Sequence, residues 1–372
     1  MKVGIVTFHR AHNCGAAMQC IALISVLRKM GHEVFVVDCN NVGEGHFFPR
    51  TFNVRIWMGW VKSLVLTRAR GQRLWLRYKR FMHRFFPMTK KISRGHSFPT
   101  SLERIVLGSD QVLNPDLTGR FLEIFLLMNR CPNKKKVAYA ASFGVSTLSE
   151  HRRDVISAGL SGFQALGIRE KSGVKICQNE LHLPITPEVT IDPTLLLDGA
   201  DYKPFETHVK TEGEYVLVYW IGNSTEYVTS LANRIAKLYG LKVIVASITA
   251  RHDNETWKAI SPDEFIYLFR CARFVVTTSF HGTSFAIINR KPFITVIPAG
   301  MNVASRITDL LGQLSLLSQI INEYDNVDDS RIGDMLNLDF SKAVRALERI
   351  RKESMHFLAN CMIDTVNGPD GA

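Results

Sequence analysis

The sequence predicts an α/β protein made of two Rossmann-like, doubly wound domains that face each other across a cleft. Short apolar strands alternate with helical patterns in two series, and a polar stretch from Leu197 to Glu214 separates them. A strand, a helix and a parallel return strand form the unit of a doubly wound sheet. The length of 372 residues suits two domains, and the 46% apolar content is enough for two cores.

The first series opens with a βαβ unit. Val3–Thr7 forms a buried strand, a helical pattern runs from Ala16 to Met30, and Glu33–Asp38 supplies the return strand. Gly31 ends the helix between them. Further strands are predicted at Arg104–Gly108, Lys136–Phe143, Ala165–Arg169 and Val189–Ile191.

The second series repeats the alternation. Ser261, followed by Pro262 and two acids, is typical of a capped helix start. Strands are predicted at Tyr215–Ile221, Lys242–Ser247, Phe274–Ser279 and Phe293–Ile297, and helices at Glu226–Tyr239, Pro262–Cys271, Thr283–Asn289 and Ser341–Met362.

Several classes of protein are disfavoured by composition. The seven cysteines are scattered and show no CxxC spacing, so we expect neither a disulfide framework nor a metal site. The first residues read as a buried strand, and no apolar run reaches the roughly 20 residues needed to span a bilayer. We therefore expect a cytoplasmic protein.

The net charge of +12 is concentrated in one stretch. Residues 45–102 contain 13 Lys or Arg and no Asp or Glu, which leaves 33 basic and 34 acidic residues elsewhere. Within this stretch Leu74, Tyr78 and Phe81 recur at helical spacing, with arginines on another side. We interpret it as an amphipathic helical insertion with a local anion-facing surface.

Polar clusters follow several predicted strands, where ligands bind in doubly wound folds. They are His9–Gly15, Gly108–Asn114, Ser142–Gly144, Arg169–Glu170 and Ser279–Thr283. In the last cluster, His281 lies on a strand-to-helix turn and can exchange protons near neutral pH. Gly282 permits close backbone approach, and the N–H groups of a helix start can bind an anion. The alternative is a capping histidine with structural bonds only.

The ordered set of these motifs resembles the polysaccharide pyruvyl transferase family from about residue 1 to residue 315. The resemblance is carried by Thr7–His9, Asn13–Ala16, Gln19, Gly108–Gln111, Tyr139–Gly144, Arg169–Ser172, Asp192–Thr194, Ser261–Phe265, Ser279–Thr283, Asn289–Phe293 and Ser305–Ile307.

This resemblance implies a GT-B-like arrangement and a transferase that moves a pyruvyl group from phosphoenolpyruvate onto sugar hydroxyls as a ketal. It also implies a glycan or lipid-linked saccharide acceptor and a setting in surface polysaccharide assembly. No cofactor and no metal are expected. The polar stretch and the charge pattern predict the domains as residues 1–197 with the insertion at about 45–102, residues 198–340, and a C-terminal helix and tail at 341–372; the resemblance implies that 198–340 is the donor side.

The same resemblance implies roles for particular residues. His281 would transfer a proton or stabilise the departing phosphate, and Asp110 would activate or orient an acceptor hydroxyl. Arg169 and Arg306 would bind the carboxylate and phosphate of the donor. The remaining substrate-binding candidates are Asn13, Gly15, Ser142, Ser279, Gly282 and Thr283.

Structural alternatives exist for several of these residues. Arg169 could simply pair with Glu170 or another acid, and Arg306 could serve the helix that follows it. Asp110 and Asn13 could be turn or capping residues.

One departure concerns the donor site. Some family members have an arginine two residues before the histidine, where this chain has Ser279, and Arg290 or Lys291 are possible replacements. Two other functions therefore stay open: a sugar-nucleotide glycosyltransferase of the same architecture, and a non-catalytic glycan-binding relative. No nucleic-acid motif is present, so nucleic acid is not an expected partner.

The basic stretch also suggests a place of action. Trp57, Trp60 and Trp75 lie among its arginines, a combination suited to a lipid headgroup surface. One hypothesis is that residues 45–102 dock the enzyme peripherally on an anionic membrane. The alternative is a helix packed on its own domain with a solvated basic face.

Overall fold

A computed structural model describes residues 1–39, 69–92, 98–128, 136–220, 226–247, 256–299 and 304–363. Two six-stranded sheets dominate it, and every strand pairing within them is parallel. The two predicted Rossmann-like domains are confirmed.

The first sheet has the order β2-β1-β3-β4-β5-β6. Most of its strand residues are buried, as expected where helices cover both faces of a parallel sheet. Its strands are β1 (Lys2–Val6), β2 (Glu33–Val36), β3 (Arg104–Leu107), β4 (Lys136–Ala141), β5 (Ala165–Ile168) and β6 (Glu188–Val189).

The second sheet has the order β12-β11-β10-β7-β8-β9, which is the 3-2-1-4-5-6 order of dinucleotide-binding folds read from its other edge. Two of its strands, β9 and β12, each of three residues, were not predicted. The strands are β7 (Tyr215–Tyr219), β8 (Lys242–Ser247), β9 (Trp257–Ala259), β10 (Phe274–Thr277), β11 (Phe293–Ile297) and β12 (Ile320–Asn322).

Nine helices of eight or more residues are found in the part of the chain that the structure describes. They are α1 (Cys14–Lys29), α2 (Ala69–Phe85), α3 (Glu150–Leu160), α4 (Glu226–Tyr239), α5 (Pro262–Cys271), α6 (Phe280–Ile288), α7 (Ala304–Gln313), α8 (Asp329–Leu336) and α9 (Ser341–Met362). Shorter helical segments include Pro115–Thr118, Leu122–Phe125, Lys171–Lys175 and Pro193–Leu196. None of the described helices is both long enough and apolar enough to cross a membrane.

The predicted amphipathic helix of the basic stretch is α2. Its inner face buries Leu74, Tyr78 and Phe81. Arg77, expected on the solvated side, instead forms an ion pair of 2.6 Å with Glu264, the acid of the capping box that begins α5. Residues 45–68 and 93–97, with Trp57 and Trp60, lie outside the described residues.

Helix α9 returns to the first domain. The Ser354 hydroxyl accepts a hydrogen bond from the Ile191 amide at 3.1 Å, and Arg351 donates to the Leu197 carbonyl at 2.8 Å. Phe357 packs so closely against Gly167 that a Cβ there would lie 2.8 Å from its ring. The last helix therefore closes the first domain after the chain has completed the second.

Candidate active site

Polar residues that follow strands of both sheets come together in one site. Ser109 and Asp110 follow β3, Arg169 follows β5 and Asp192 follows β6. From the second domain, His281 lies in the first turn of α6 after β10. The parallel direction of the strands explains the convergence, because all carboxyl ends meet at one edge of a sheet.

Asp192 holds the first-domain part of this site together. One of its carboxylate oxygens, Oδ1, accepts hydrogen bonds from the amide and hydroxyl of Thr194 at 2.9 and 2.6 Å. The other, Oδ2, lies 2.8 Å from Arg169 Nη2 and accepts from the Ser109 hydroxyl at 3.0 Å. Arg169 Nη2 also donates to Ser109 Oγ at 2.6 Å, so three side chains form one connected unit.

The charge of Asp192 is set by its neighbours. Burial by itself would raise the pKa of this carboxyl, since its side chain is 0% exposed. The Arg169 guanidinium, the nearby His281 and the Thr194 bonds outweigh burial and hold the pKa well below its usual range. Asp192 is therefore a buried carboxylate that compensates a buried cation.

His281 reaches the same carboxylate from the second domain. Its Nε2 lies 3.7 Å from Asp192 Oδ2, which is an ion-pair rather than a hydrogen-bond distance. The imidazole rests on the backbone of Gly15 at the start of α1, where an added Cβ would lie 2.2 Å from Nδ1. Only glycine permits this approach, so Gly15 and Asp192 together fix the ring across the domain boundary.

Phe280 carries two guanidinium groups on its ring. The Arg169 Cζ lies 5.1 Å and the Arg306 Cζ 5.9 Å from the ring centroid, within the range of cation–π contact. Arg306 is buried in the first turns of α7. Burial, and then the positive charge of Arg169, lower the pKa of its guanidinium, which still stays protonated near neutrality.

Several donors of this group have no hydrogen-bond partner among the described residues. They are Arg169 Nε and Nη1, Arg306 Nε and His281 Nε2. Buried polar atoms are nearly always satisfied, so a group of orphan donors on cationic or ionisable side chains indicates a place for an anion. We call Arg169, Asp192, Phe280, His281 and Arg306 the Phe280 cluster.

Comparison with known proteins identifies the chain at this point. The sequence model of polysaccharide pyruvyl transferases matches residues 13–298, which include every member of the Phe280 cluster except Arg306. The chain belongs to the polysaccharide pyruvyl transferase family. No match was found among curated proteins.

Solved structures resemble this family member over nearly its whole length at low identity. Arabidopsis thaliana UGT89C1 complexed with UDP-L-rhamnose matches with a TM-score of 0.48 and 11% identity, covering 97% of this chain and 99% of that one. The glycosyltransferase SnogD from Streptomyces nogalater matches at 0.43 and 11%, covering 96% of each chain. UDP-GlcNAc 2-epimerase from Neisseria meningitidis bound to UDP-GlcNAc matches at 0.43 and 11%, covering 98% and 95%.

In this pyruvyl transferase family member, Asp110 lies in a turn and also beside the Phe280 cluster, so the sequence alternatives of a turn residue and a site residue both stay open. Its backbone is left-handed, with φ of 78°, and its Oδ1 accepts from the Gln111 amide at 2.9 Å, as in a turn. The same Oδ1 lies 3.7 Å from Arg169 Nη1, and the side chain is 13% exposed. Asp110 is thus the more open carboxylate beside the cluster, and its proposed role toward the acceptor stays a prediction.

The structural alternative for Arg169, pairing with an acid, is confirmed, but the partner is Asp192 at 2.8 Å and not Glu170. Glu170 Oε1 instead accepts from the Ser142 hydroxyl at 3.1 Å and from the Phe143 amide at 2.8 Å. Glu170 and Ser142 thereby fix the loop after β4. The substrate-binding role predicted for Ser142 is untested, and the bond to Glu170 occupies its hydroxyl proton.

Other predicted substrate-binding residues have local structural contacts. Asn13 caps α1 through its side chain at 3.3 Å, and Ser279 caps α6 by accepting from the Gly282 amide at 3.3 Å. Gly282 packs on Thr277 of β10, and the Thr283 hydroxyl lies 2.8 Å from that of Thr295 in β11. Their contacts with a substrate stay predictions.

The cations considered as replacements at Ser279 do not join the Phe280 cluster. Arg290 follows the far end of α6 and lines a small cavity of about 50 Å³ beside α9. Lys291 lies near Arg270 and Arg273. Arg306 is the second guanidinium of the cluster instead.

The sequence analysis did not predict roles for the residues that position the arginines and the histidine of the site. Asp192, Ser109 and Phe280 carried no predicted role, although an Asp directly after a short strand marks a strand end. Their importance depends on which strand ends become neighbours, and that is decided by the sheet order. Among the described residues, no group of three His, Cys, Asp or Glu could hold a metal ion.

Proposed function

We propose that this protein transfers a pyruvyl group from phosphoenolpyruvate to two hydroxyls of a sugar, forming a ketal during polysaccharide or glycan assembly. The observation that supports the proposal is the set of orphan donors on Arg169, Arg306 and His281. A small molecule that carries two acidic groups offers hydrogen-bond acceptors for these donors.

Phosphoenolpyruvate presents a carboxylate and a phosphate on neighbouring atoms. Guanidinium groups bind both kinds of anion through paired N–H donors. Asp192 already balances Arg169, whereas no described carboxylate lies within ion-pairing distance of Arg306. Arg306 is therefore the guanidinium of the cluster without a directly paired carboxylate, although Asp110, Glu170 and Asp192 lie near enough to act on its charge.

The proposed reaction needs two proton transfers. The first sugar hydroxyl adds to the central carbon and loses its proton to a base, while the methylene carbon gains a proton and becomes a methyl group. The second hydroxyl then displaces phosphate at the same carbon, and its proton leaves with the phosphate. In total, two C–O bonds and one C–H bond form, and the C=C π bond, the C–O bond to phosphate and the two hydroxyl O–H bonds break, while the second hydroxyl proton ends on the phosphate. The overall oxidation level of donor plus acceptor does not change.

Particular side chains fit these steps. His281 is the proposed acid toward the methylene carbon or the departing phosphate, because its Nε2 is unpaired at the edge of the anion donors. Asp110 is the proposed base toward an acceptor hydroxyl, because it is the more open carboxylate of the site. Asn13 and Gly15 lie on the same boundary and are proposed to border the substrate.

The main rival is a sugar-nucleotide glycosyltransferase, since the same two-domain architecture supports that chemistry. A non-catalytic glycan-binding relative is the second rival, and Ser279 at the family's arginine position favours it. The position of Arg306 over the Phe280 ring weakens this argument for the second rival, because the cluster has two guanidinium groups even with Ser279 at the family's arginine position.

Thermal stabilisation by candidate donors separates these functions. The full-length protein is melted with phosphoenolpyruvate, inorganic phosphate or a panel of nucleotide sugars. A ligand at about 100 times its Kd stabilises the folded state by about 2.7 kcal/mol. We expect phosphoenolpyruvate to raise the melting temperature of the wild type and not that of Arg306→Gln.

Phosphate release with glycan acceptors then tests transfer itself. Stabilisation by a nucleotide sugar without any response to phosphoenolpyruvate would establish the glycosyltransferase rival. A second outcome would favour the non-catalytic glycan-binding relative. In it, phosphoenolpyruvate binds but no acceptor gives phosphate release, and His281→Gln binds phosphoenolpyruvate as well as the wild type.

A further inference from the structure

The outer face of α2 is a second surface that the proposed chemistry does not use. It comprises Arg73, Leu76, Lys79, Arg80, His83 and Arg84, all of which are exposed. The helix contains no acidic residue. It lies within residues 45–102, the stretch that carries the whole positive excess of the protein.

An apolar side chain lies in the middle of this face. Leu76 is 50% exposed, and Lys79 and Arg80 follow it at three and four residues, so they flank it on the helix surface. The Lys79 ammonium also lies 5.1 Å above the half-buried Trp75 ring. Cations around exposed apolar and aromatic side chains are typical of helices that lie in a lipid headgroup layer.

The inner face fixes α2 to both domains. Tyr78 Oη lies 3.0 Å from Cys14 Sγ at the start of α1, and Arg77 reaches Glu264 and the Ala259 carbonyl in the second domain. Cys14 precedes Gly15, on which His281 rests. The inner face of α2 therefore contacts the start of α1, directly beside the glycine on which His281 rests.

We propose that the outer face of α2 docks on the headgroup layer of an anionic lipid bilayer. The cations attract the negative surface, and Leu76 enters the boundary of the acyl chains. An exposed apolar side chain at the centre of the face favours lipid over nucleic acid, whose phosphates need only cations. The docking itself does not depend on the proposed chemistry. Its purpose, which is to bring the Phe280 cluster to a lipid-linked acceptor, rests on the proposed function.

Vesicle flotation of the full-length protein tests this docking. Vesicles contain either phosphatidylglycerol mixed with phosphatidylcholine or phosphatidylcholine alone. We expect the wild type to float with the anionic vesicles only. The triple variant Lys79→Glu/Arg80→Glu/Arg84→Glu should bind at least about 100-fold more weakly, since each cation near such a surface strengthens binding about fivefold. Leu76→Asn should weaken binding a few-fold at equal charge.

A matched control changes the same charge elsewhere. Lys342, Arg345 and Arg349 are exposed on α9, and their triple replacement by Glu changes the net charge equally. We expect this control to keep most of the vesicle binding. Equal losses in both triple variants would overturn the proposal, because net charge and not α2 would then decide binding.

Other outcomes also overturn it. Absence of the wild type from anionic vesicles would end the docking, and so would tight binding to a single-stranded RNA probe without vesicle binding. Stabilisation of the α2 triple variant by phosphoenolpyruvate is measured in parallel. It shows whether the variant is folded and its donor site intact, independently of vesicle binding. Loss of docking with retained stabilisation leaves the proposed function intact, and the reverse result leaves the docking intact.

Discussion

Two ion clusters at strand ends of the first sheet differ in burial and in how many buried hydrogen-bond donors they leave without a partner. After β2, Asp38 accepts from Arg10 Nε and Nη2 at 2.8 and 2.7 Å, and its backbone amide donates to the Thr89 hydroxyl at 3.0 Å. The orphan donors of Arg169 Nε and Nη1 have no counterpart on Arg10. Residue types are nearly the same in both clusters, so the unused donors, and not the residue types, distinguish a candidate binding site from a structural ion pair.

We expect the largest difference between the two clusters when their histidines, His9 and His281, are replaced and phosphate release is measured. His9 lies 3.4 Å from Asp38 and 3.1 Å from the Thr7 carbonyl, whereas His281 has an unpaired Nε2. We expect His281→Gln to lower phosphoenolpyruvate-dependent phosphate release by about 10²–10⁴-fold, the usual contribution of a positioned acid or base. His9→Gln should leave release unchanged while lowering the melting temperature. Equal losses of activity would break the comparison.

Removing the arginine of each cluster comes next. Arg169→Ala leaves Asp192 as a buried carboxylate without its cation, and we expect a loss of about 3–5 kcal/mol in the free energy of unfolding. The Arg10 side chain is 21% exposed, so water can partly solvate Asp38 after Arg10→Ala, and a loss of about 1–3 kcal/mol is expected. Urea denaturation of both variants measures the two values. A larger loss in Arg10→Ala would contradict this ranking.

A methyl group added at Gly15 tests whether the contact between Gly15 and the His281 ring matters for donor binding. The added Cβ would lie 2.2 Å from His281 Nδ1, so the ring must move away from Asp192. We expect Gly15→Ala to weaken stabilisation by phosphoenolpyruvate by about tenfold in apparent Kd, equivalent to about 1.4 kcal/mol. Gly312→Ala is the matched control, because the nearest atom to its added Cβ is 3.9 Å away. An unchanged Kd in Gly15→Ala would remove His281 from the donor site.

The smallest expected effect is a dependence of stability on pH. Because the folded-state pKa of Asp192 is held below its unfolded value, its stabilising contribution is full above about pH 4 and is lost as the pH falls. Between pH 5 and pH 3 the stability gap between wild type and Asp192→Asn should narrow by about 1.2 kcal/mol, given an unfolded pKa of about 3.9. Urea midpoints at the two pH values test this. A gap that widens toward acid would show that Asp192 is not a carboxylate in the folded protein.

The fold followed from the sequence because its signals are local. Glu226–Tyr239, Pro262–Cys271 and Ser341–Met362 begin and end where apolar periodicity and caps place them. Strands such as β9 are too short to show a period, and their pairing depends on a neighbour far away in the chain. Sequence patterns therefore predict long helices well and short edge strands poorly.

The candidate site was predicted in its parts and not in its connections. His281, Arg169, Arg306 and Asp110 were expected at strand ends or helix starts, and the structure brings them together. The bond of Arg169 to Asp192, and the sharing of Phe280 between two arginines, join residues from 23 to 137 positions apart. Such contacts leave no periodic trace in a single sequence.

Because α9 returns to the first domain, that domain is completed only by the last part of the chain. An N-terminal fragment released from the ribosome before residue 341 would lack the helix that covers Ile191, Leu197 and Gly167. Its own sheet can form early, but this side of it stays open to water until synthesis ends. Splitting the gene in the 197–214 stretch should therefore give an N-terminal half that gains solubility when a peptide spanning 341–363 is supplied in trans.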